Sequence, residues 1–115
     1  MNAQRLLNVA RALRESPHPE KFTMRRIAHP CGTPACALGH YAARHDLQDA
    51  FRLDNRGFLV HLGDETPYEM ELRHFAIDGD QEDELFSAMG CGDAKTTIEA
   101  AEYIERFVAE YSSQE

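Results

Sequence analysis

The sequence predicts a single α+β domain of residues 1–115, in which about four helices pack around one small β-hairpin. Three observations predict this fold. Apolar residues recur at helical spacing near both ends of the chain, capping signals open several helical stretches, and two short apolar segments flank a turn. The length of 115 residues also suits one domain, and no internal repeat or long linker divides it.

The first predicted helix is amphipathic, because Leu6, either Val9 or Ala10, and Leu13 recur at helical spacing. It is expected to end at residues 16–19, where two prolines exclude a continuing helix. Residues 22–24 then alternate apolar and polar side chains, which predicts a short extended segment ahead of the next helix.

The second predicted helix opens at Thr33 and Pro34. A threonine hydroxyl caps unpaired backbone N–H groups, and proline is favoured at the first helical position. Cys36 then falls inside the first turn, and the helix is expected to continue past Tyr41 to His45.

The second half of the chain predicts the hairpin and the remaining helices. Residues 51–54 and 58–62 are typical of two short strands, joined by the turn residues 55–57. Helices are then expected to begin at three capping signals: Thr66 with Pro67, Asp80, and the capping box Thr96 to Glu99. Their expected ends are Phe75, Gly90 and about residue 111. The apolar stripe of the last helix is predicted to comprise Ile98, Ala101, Ile104, Val108 and Tyr111.

Charge is unevenly distributed along the chain. The formal net charge is -8. Residues 1–45 contain seven Lys/Arg and two Asp/Glu, whereas residues 46–115 contain five Lys/Arg and eighteen Asp/Glu. Phosphate contacts need clustered basic residues, so this pattern argues against direct nucleic-acid binding and favours a protein partner. The acidic residues expected to form the docking site are Asp80, Glu82, Asp83 and Glu84.

The chain is expected to be cytoplasmic and to have no membrane partner. Its N-terminus lacks the apolar core of a signal peptide, and no apolar run approaches the ~18 residues of a membrane span. In a reducing compartment, three cysteines are more typical of free thiols, a metal site or redox chemistry than of a structural disulfide.

Cys31, Cys36 and His40 are the first candidates for a zinc site. Cys36 and His40 lie four residues apart, so they share one face of the predicted helix, and Cys91 or His29 would complete a tetrahedron. Structural zinc sites usually pair cysteines in two separate knuckles, and this sequence has no second knuckle. We therefore expect no cofactor and keep a small zinc-stabilised domain as an alternative.

Cys36 is also the candidate nucleophile of a cysteine-dependent hydrolase or transferase. A thiol in the first turn of a helix has a lowered pKa because of the helix dipole. His61 and Asp64 follow in the order Cys, His, Asp, as a base and the group that orients it. Six histidines make such a pairing easy to find by chance, and a Cys36 buried under the helix start fits equally well. A reversible Cys31–Cys36 disulfide is a weaker alternative, since no βαβ pattern surrounds it.

The stretch Cys31-Gly-Thr-Pro-Ala-Cys-Ala-Leu-Gly-His40 resembles the hallmark of a family of small uncharacterised bacterial and phage-borne proteins, which share a Cys-Gly-Thr-x-x-Cys-x-x-Gly core. Residues 85–86 and 97–101 are similar to the second half of that family. The resemblance implies that an aromatic residue often replaces His40, and that the shared requirement is for Cys31, Gly32, Thr33, Cys36 and Gly39. A turn, a helix cap and a tight packing contact account for that set. The family brings no established activity.

The leading hypothesis is therefore a non-enzymatic acidic interaction module that binds another macromolecule. It depends on the charge asymmetry and on the lack of a complete catalytic set in the sequence. The alternatives are the cysteine-dependent enzyme built on Cys36 and His61 and the zinc-stabilised domain.

Overall fold

The structure, a computed structural model, describes residues 1–24, 35–54, 59–61, 66–87 and 90–112. These residues form five α-helices and one two-stranded antiparallel hairpin, in the order α1 (Ala3–Arg14), α2 (Ala37–Ala42), β1 (Phe51–Leu53), β2 (Leu59–His61), α3 (Pro67–Phe75), α4 (Gly79–Phe86) and α5 (Thr97–Ser112). A 3-10 turn at Pro19–Lys21 follows α1, and a one-turn segment at Gly90–Asp93 separates α4 from α5. The predicted α+β fold is confirmed. Within these described ranges, no helix is both long and apolar enough to cross a membrane.

The core lies where α1 packs against α2 and α5. On α1, Leu6, Val9 and Leu13 are fully buried, as their spacing predicted. From α5, Ile104 and Phe107 pack into the same core. Each such side chain stabilises the fold by roughly 1.5–3 kcal/mol relative to leaving it in water. The radius of gyration of 12.8 Å is close to the value of about 13 Å expected for a folded domain of this length.

The start of α2 differs from the prediction. Cys36 is the N-cap, with an extended backbone (φ -88°, ψ 179°), and the first helical residue is Ala37. A helix that began at Pro34 would have to run through Cys36, so the predicted start at Thr33 and Pro34 is wrong. The helix is also shorter than expected, because it ends at Ala42 and His45 lies in the following turn.

Two further helix starts are shifted relative to the prediction. Asp78, not Asp80, caps α4, because its carboxylate accepts from the Gln81 N–H while the Gln81 side chain accepts from the Asp78 N–H. α4 ends at Phe86, well before Gly90. At α5, the Glu99 N–H donates to Thr96 Oγ1 as predicted, but the Glu99 carboxylate accepts from the N–H of Lys95. The predicted apolar stripe of α5 is buried at Ala101, Ile104 and Val108, as expected, whereas Ile98 is 42% exposed.

The hairpin and α3 follow the sequence closely. Phe51 pairs with His61 and Leu53 with Leu59 in an antiparallel register. The predicted turn residues 55–57, and residues 58 and 62 of the second strand, lie outside the described residues. α3 begins after Thr66, whose hydroxyl accepts from the backbone N–H of Glu69, and it ends at Phe75 as expected.

Candidate functional site

The structure describes only part of the predicted site. Outside the described residues lie Cys31, Gly32, Thr33, His29 and Asp64. His61 is described only as a strand residue of β2, and its side chain is not. The predicted residues whose surroundings the structure does describe are Cys36, Gly39, His40, Cys91, Asp80, Glu82, Asp83 and Glu84.

Cys36 is a buried helix cap. Its sulfur accepts a hydrogen bond from the backbone N–H of Gly39 at 3.4 Å, and only 2% of the residue is exposed. Burial raises the pKa of the Cys36 thiol to about 11, although nearby backbone N–H groups act to lower it. This direction is opposite to the lowered pKa expected from a first-turn position. The thiol is therefore protonated at neutral pH, and a protonated thiol is a poor nucleophile.

His40 joins the start of α2 to the segment after α1. Its Nδ1 lies 2.8 Å from the carbonyl oxygen of Cys36, and its Nε2 lies 2.9 Å from the Ser16 hydroxyl. A carbonyl oxygen only accepts, so Nδ1 carries the proton and Nε2 accepts from Ser16. Burial lowers the pKa of His40, which favours this neutral form. Both ring nitrogens thus have hydrogen-bond partners, and neither is open to a metal ion in this arrangement.

Cys91 contacts the end of a different helix. Its thiol donates to the carbonyl oxygen of Leu85 at 3.3 Å, which is one of the last carbonyls of α4. Cys91 is buried, and burial raises the pKa of its thiol to about 12. The two described thiols therefore have the same kind of role, since Cys36 caps the beginning of α2 and Cys91 pairs with the end of α4.

The segment that carries Cys91 is tightly packed and has an unusual backbone. Cys91, Gly92 and Asp93 all have left-handed conformations, with φ of 56°, 65° and 60°. At Gly90 a Cβ atom would lie only 2.7 Å from the carbonyl carbon and oxygen of Leu85. This contact requires glycine at position 90.

The two described cysteines are free thiols, and Cys31 lies outside the described residues. In the described part of the chain, no three His, Cys, Asp or Glu side chains lie together as metal ligands.

A second buried polar group, which the sequence analysis missed, lies beside the aromatic core. The hydroxyl of Tyr41 and Nε2 of His74 are 2.7 Å apart, and both residues are buried. Burial lowers the pKa of His74 to about 4, so its imidazole is neutral at pH 7. A sequence signal for this was present, because His74 lies four residues after buried Met70 on α3 and so shares its face.

Gln48 connects the end of α2 to the hairpin. Its Nε2 lies within 3.3 Å of the carbonyl oxygens of Tyr41, Ala42 and Phe51. Its Oε1 accepts from the Phe51 N–H at 2.7 Å. This buried amide therefore joins backbone groups at the end of α2 to Phe51 of β1, and it provides an acceptor for the Phe51 N–H.

The predicted docking residues lie on α4, and most of them face solvent. Asp80, Asp83 and Glu84 are exposed, whereas Glu82 is only partly exposed. Glu84 also accepts a hydrogen bond from the hydroxyl of Tyr103 on α5 at 2.7 Å, which links the outer surfaces of the two helices.

The adjoining surface of α5 adds further carboxylates. A hollow of about 170 Å³ is lined by Glu84, Tyr103, Arg106, Phe107 and Glu110, and a second, of about 300 Å³, includes Glu99 and Glu102. We call this surface the acidic face and define it by Asp80, Asp83, Glu84, Glu99, Glu102 and Glu110. Arg106, whose guanidinium lies 5.9 Å from the ring centre of Tyr103, also lines both hollows.

Three arginines of the first half are paired with carboxylates of the same chain. Their described ion pairs are Arg11 with Glu15 (3.2 Å), Arg14 with Glu105 (2.7 Å), and Arg44 with both Glu15 and Asp46 (2.7 Å each). By contrast, none of the described ion pairs involves Asp80, Asp83 or Glu102. Asp80, Asp83 and Glu102 are therefore exposed carboxylates that lie outside the described ion pairs.

No protein-family model matches the chain, and its comparison with curated proteins and with solved structures gives no match either. The resemblance of residues 31–40 to the small bacterial and phage-borne family stays a prediction.

Proposed function

We propose that the protein is a non-enzymatic interaction module that binds a basic surface of another protein through the acidic face. The observation that carries the proposal is the difference in pairing between the two kinds of charge. Arg11, Arg14 and Arg44 are held by carboxylates of the same chain, whereas Asp83 and Glu102 are exposed and form no described ion pair. Unpaired surface carboxylates attract a partner of opposite charge and speed its association.

The contacts of Cys36 support this proposal over a thiol enzyme. A catalytic cysteine needs an accessible thiolate with a base nearby. Cys36 is 2% exposed, its thiol has a raised pKa, and its sulfur is occupied by the Gly39 N–H. The hydrogen bonds of His40 likewise favour a structural role for the motif over zinc binding.

Affinity capture with charge-reversed variants tests the proposal. Wild-type protein, an Asp83→Lys/Glu102→Lys double variant and an Asp49→Lys control are used as baits in lysate of the cells that encode the protein, with and without nuclease treatment. Asp49 is exposed like the other two but lies in the loop before β1. Circular dichroism establishes that all three baits are folded.

We expect a protein bound by the wild type and the control at low salt, and lost from the double variant. The same protein should be released as the salt concentration rises, because screening weakens exposed charge pairs. Equal capture by all three baits contradicts the acidic face as the docking site, and loss of the captured species on nuclease treatment contradicts a protein partner.

A further inference from the structure

Glu71 is a buried carboxyl group without a conventional partner. It lies on α3, only 6% of the residue is exposed, and its Oε1 has no hydrogen-bond partner in the described part of the chain. A buried carboxylate that lacks donors carries a large desolvation cost, which proteins avoid by pairing the group or by protonating it. The surroundings of Glu71 therefore indicate how its charge is removed.

The group that faces Glu71 is another carboxyl. The side chain of Glu82 on α4 is partly exposed, and its carboxyl lies close enough to Glu71 to raise the pKa of Glu71. Ionised carboxylates only accept hydrogen bonds, so two of them cannot bond to each other. Because Glu71 is buried and its Oε1 has no described donor, a second carboxyl beside it is tolerated when one of the two groups holds a proton.

We propose that Glu71 and Glu82 share one proton, and that this carboxyl pair is a pH-sensitive clasp between α3 and α4. The proton stays on Glu71, because burial penalises its ionised form most, while the partly exposed Glu82 provides a path to water. Two carboxyl groups at one site do not ionise independently, so Glu71 and Glu82 titrate as a pair. It does not depend on the proposed function, although α4 also carries part of the acidic face.

Among the described residues, Glu82 is the charged group that acts on Glu71, and the described side chains of β2, Leu59 and Val60, carry no charge. From α2, the Cys36 thiol is close enough for a charge on Glu71 to raise the pKa of that thiol. From α1, Arg5 donates to the carbonyl oxygen of His74 instead, at 2.8 Å. Burial raises the pKa of Glu71, and the Glu82 carboxyl raises it further. Loss of the shared proton would leave two repelling charges between the helices.

The direction of the pH effect follows from these contacts. The folded chain holds the Glu71 proton to higher pH than the unfolded chain does, so stability falls as pH rises from the ordinary glutamate range through the raised pKa of Glu71. For one proton, the equilibrium constant of unfolding then increases by up to ~10-fold per pH unit.

Carbon-13 NMR titration of the glutamate carboxyl carbons in the full chain tests the clasp directly. We expect one carboxyl to titrate well above the ordinary value of about 4.3. That signal should be absent from Glu71→Gln, and its midpoint should fall in Glu82→Gln, which cannot place a second negative charge beside Glu71. Titration of every glutamate in the ordinary range overturns the proposal.

Urea unfolding across pH ~6.5 to ~9, above the range in which His74 affects stability, provides the second readout. The unfolding midpoint of the wild type should decrease as pH rises, whereas Glu71→Gln should keep a flatter profile. The matched control is Glu69→Gln, an exposed residue of the same helix, which should behave like the wild type. A Glu71→Gln profile as steep as that of the control contradicts the clasp. If Glu71→Gln does not fold, the wild-type and Glu82→Gln titrations decide the matter.

Discussion

Replacement of Cys36 by alanine removes the cap of α2 and leaves the Gly39 N–H, in the buried core, without its acceptor. Loss of an N-cap costs roughly 1 kcal/mol. An unpaired buried donor raises the cost toward about 2 kcal/mol. Cys36→Ser keeps an acceptor at the cap, so it should lose only about 1 kcal/mol, mainly from the packing of the sulfur.

Urea unfolding followed by circular dichroism measures the difference between the two variants, and thermal unfolding gives an independent check. In a domain of this size, 1 kcal/mol shifts Tm by roughly 4 °C. The alanine variant should therefore melt roughly 8 °C below the wild type and the serine variant about half as far below it. An alanine variant as stable as the serine variant would refute the capping role of the sulfur.

Three other predictions follow from buried contacts. Gly90→Ala should destabilise the fold by roughly 2 kcal/mol or more, because the new Cβ meets the backbone of Leu85 at 2.7 Å. Between pH 6.5 and about 4, buried His74 should lower stability by up to ~3 kcal/mol, because it resists a proton that the unfolded chain accepts. Glu71 acts in the opposite direction there, so the loss is measured as the difference between the wild type and His74→Gln. Gln48→Ala should cost about 2–3 kcal/mol, because the Phe51 N–H loses its acceptor.

Each of these predictions has a direct control or contradicting result. Gly79→Ala is the control for Gly90, because its Cβ would meet only the hydroxyl of Tyr68, the end of a side chain that is 46% exposed and able to move. Equal losses in the two glycine variants, measured by urea unfolding, would contradict the packing argument. An acid profile of His74→Gln identical to that of the wild type would contradict the role given to His74. A Gln48→Ala variant with wild-type stability would mean that the backbone finds other partners.

Local signals in the sequence predicted much of the fold. The spacing of Leu6, Val9 and Leu13 correctly indicated the buried face of α1, and Thr66 correctly marked the start of α3. Asp78 was identifiable in principle, because Gln81 follows it by three residues and completes a capping box. These features depend on residues within one or two turns of each other, and such contacts can be inferred from the order of the residues.

Contacts between distant segments limited the prediction of the site. Threonine is a common helix cap and cysteine is not, so the sequence favoured Thr33, whereas the buried Cys36 sulfur takes that place in the fold. The expected lowering of the Cys36 pKa considered the helix dipole but not burial, and burial dominates. The pairing of Glu71 with Glu82 joins two helices, and nothing in the local sequence of either helix indicates it.

Alkylation of the native protein, mapped to individual cysteines by peptide mass spectrometry, tests most directly whether the cysteine motif supports the fold or performs chemistry. Burial and the raised pKa of its thiol predict that Cys36 does not react with iodoacetamide at neutral pH in the folded protein, and that it reacts fully once urea unfolds the chain. Modification of Cys36 in the native protein as fast as a free cysteine would contradict the structural role of the motif and favour a reactive thiol.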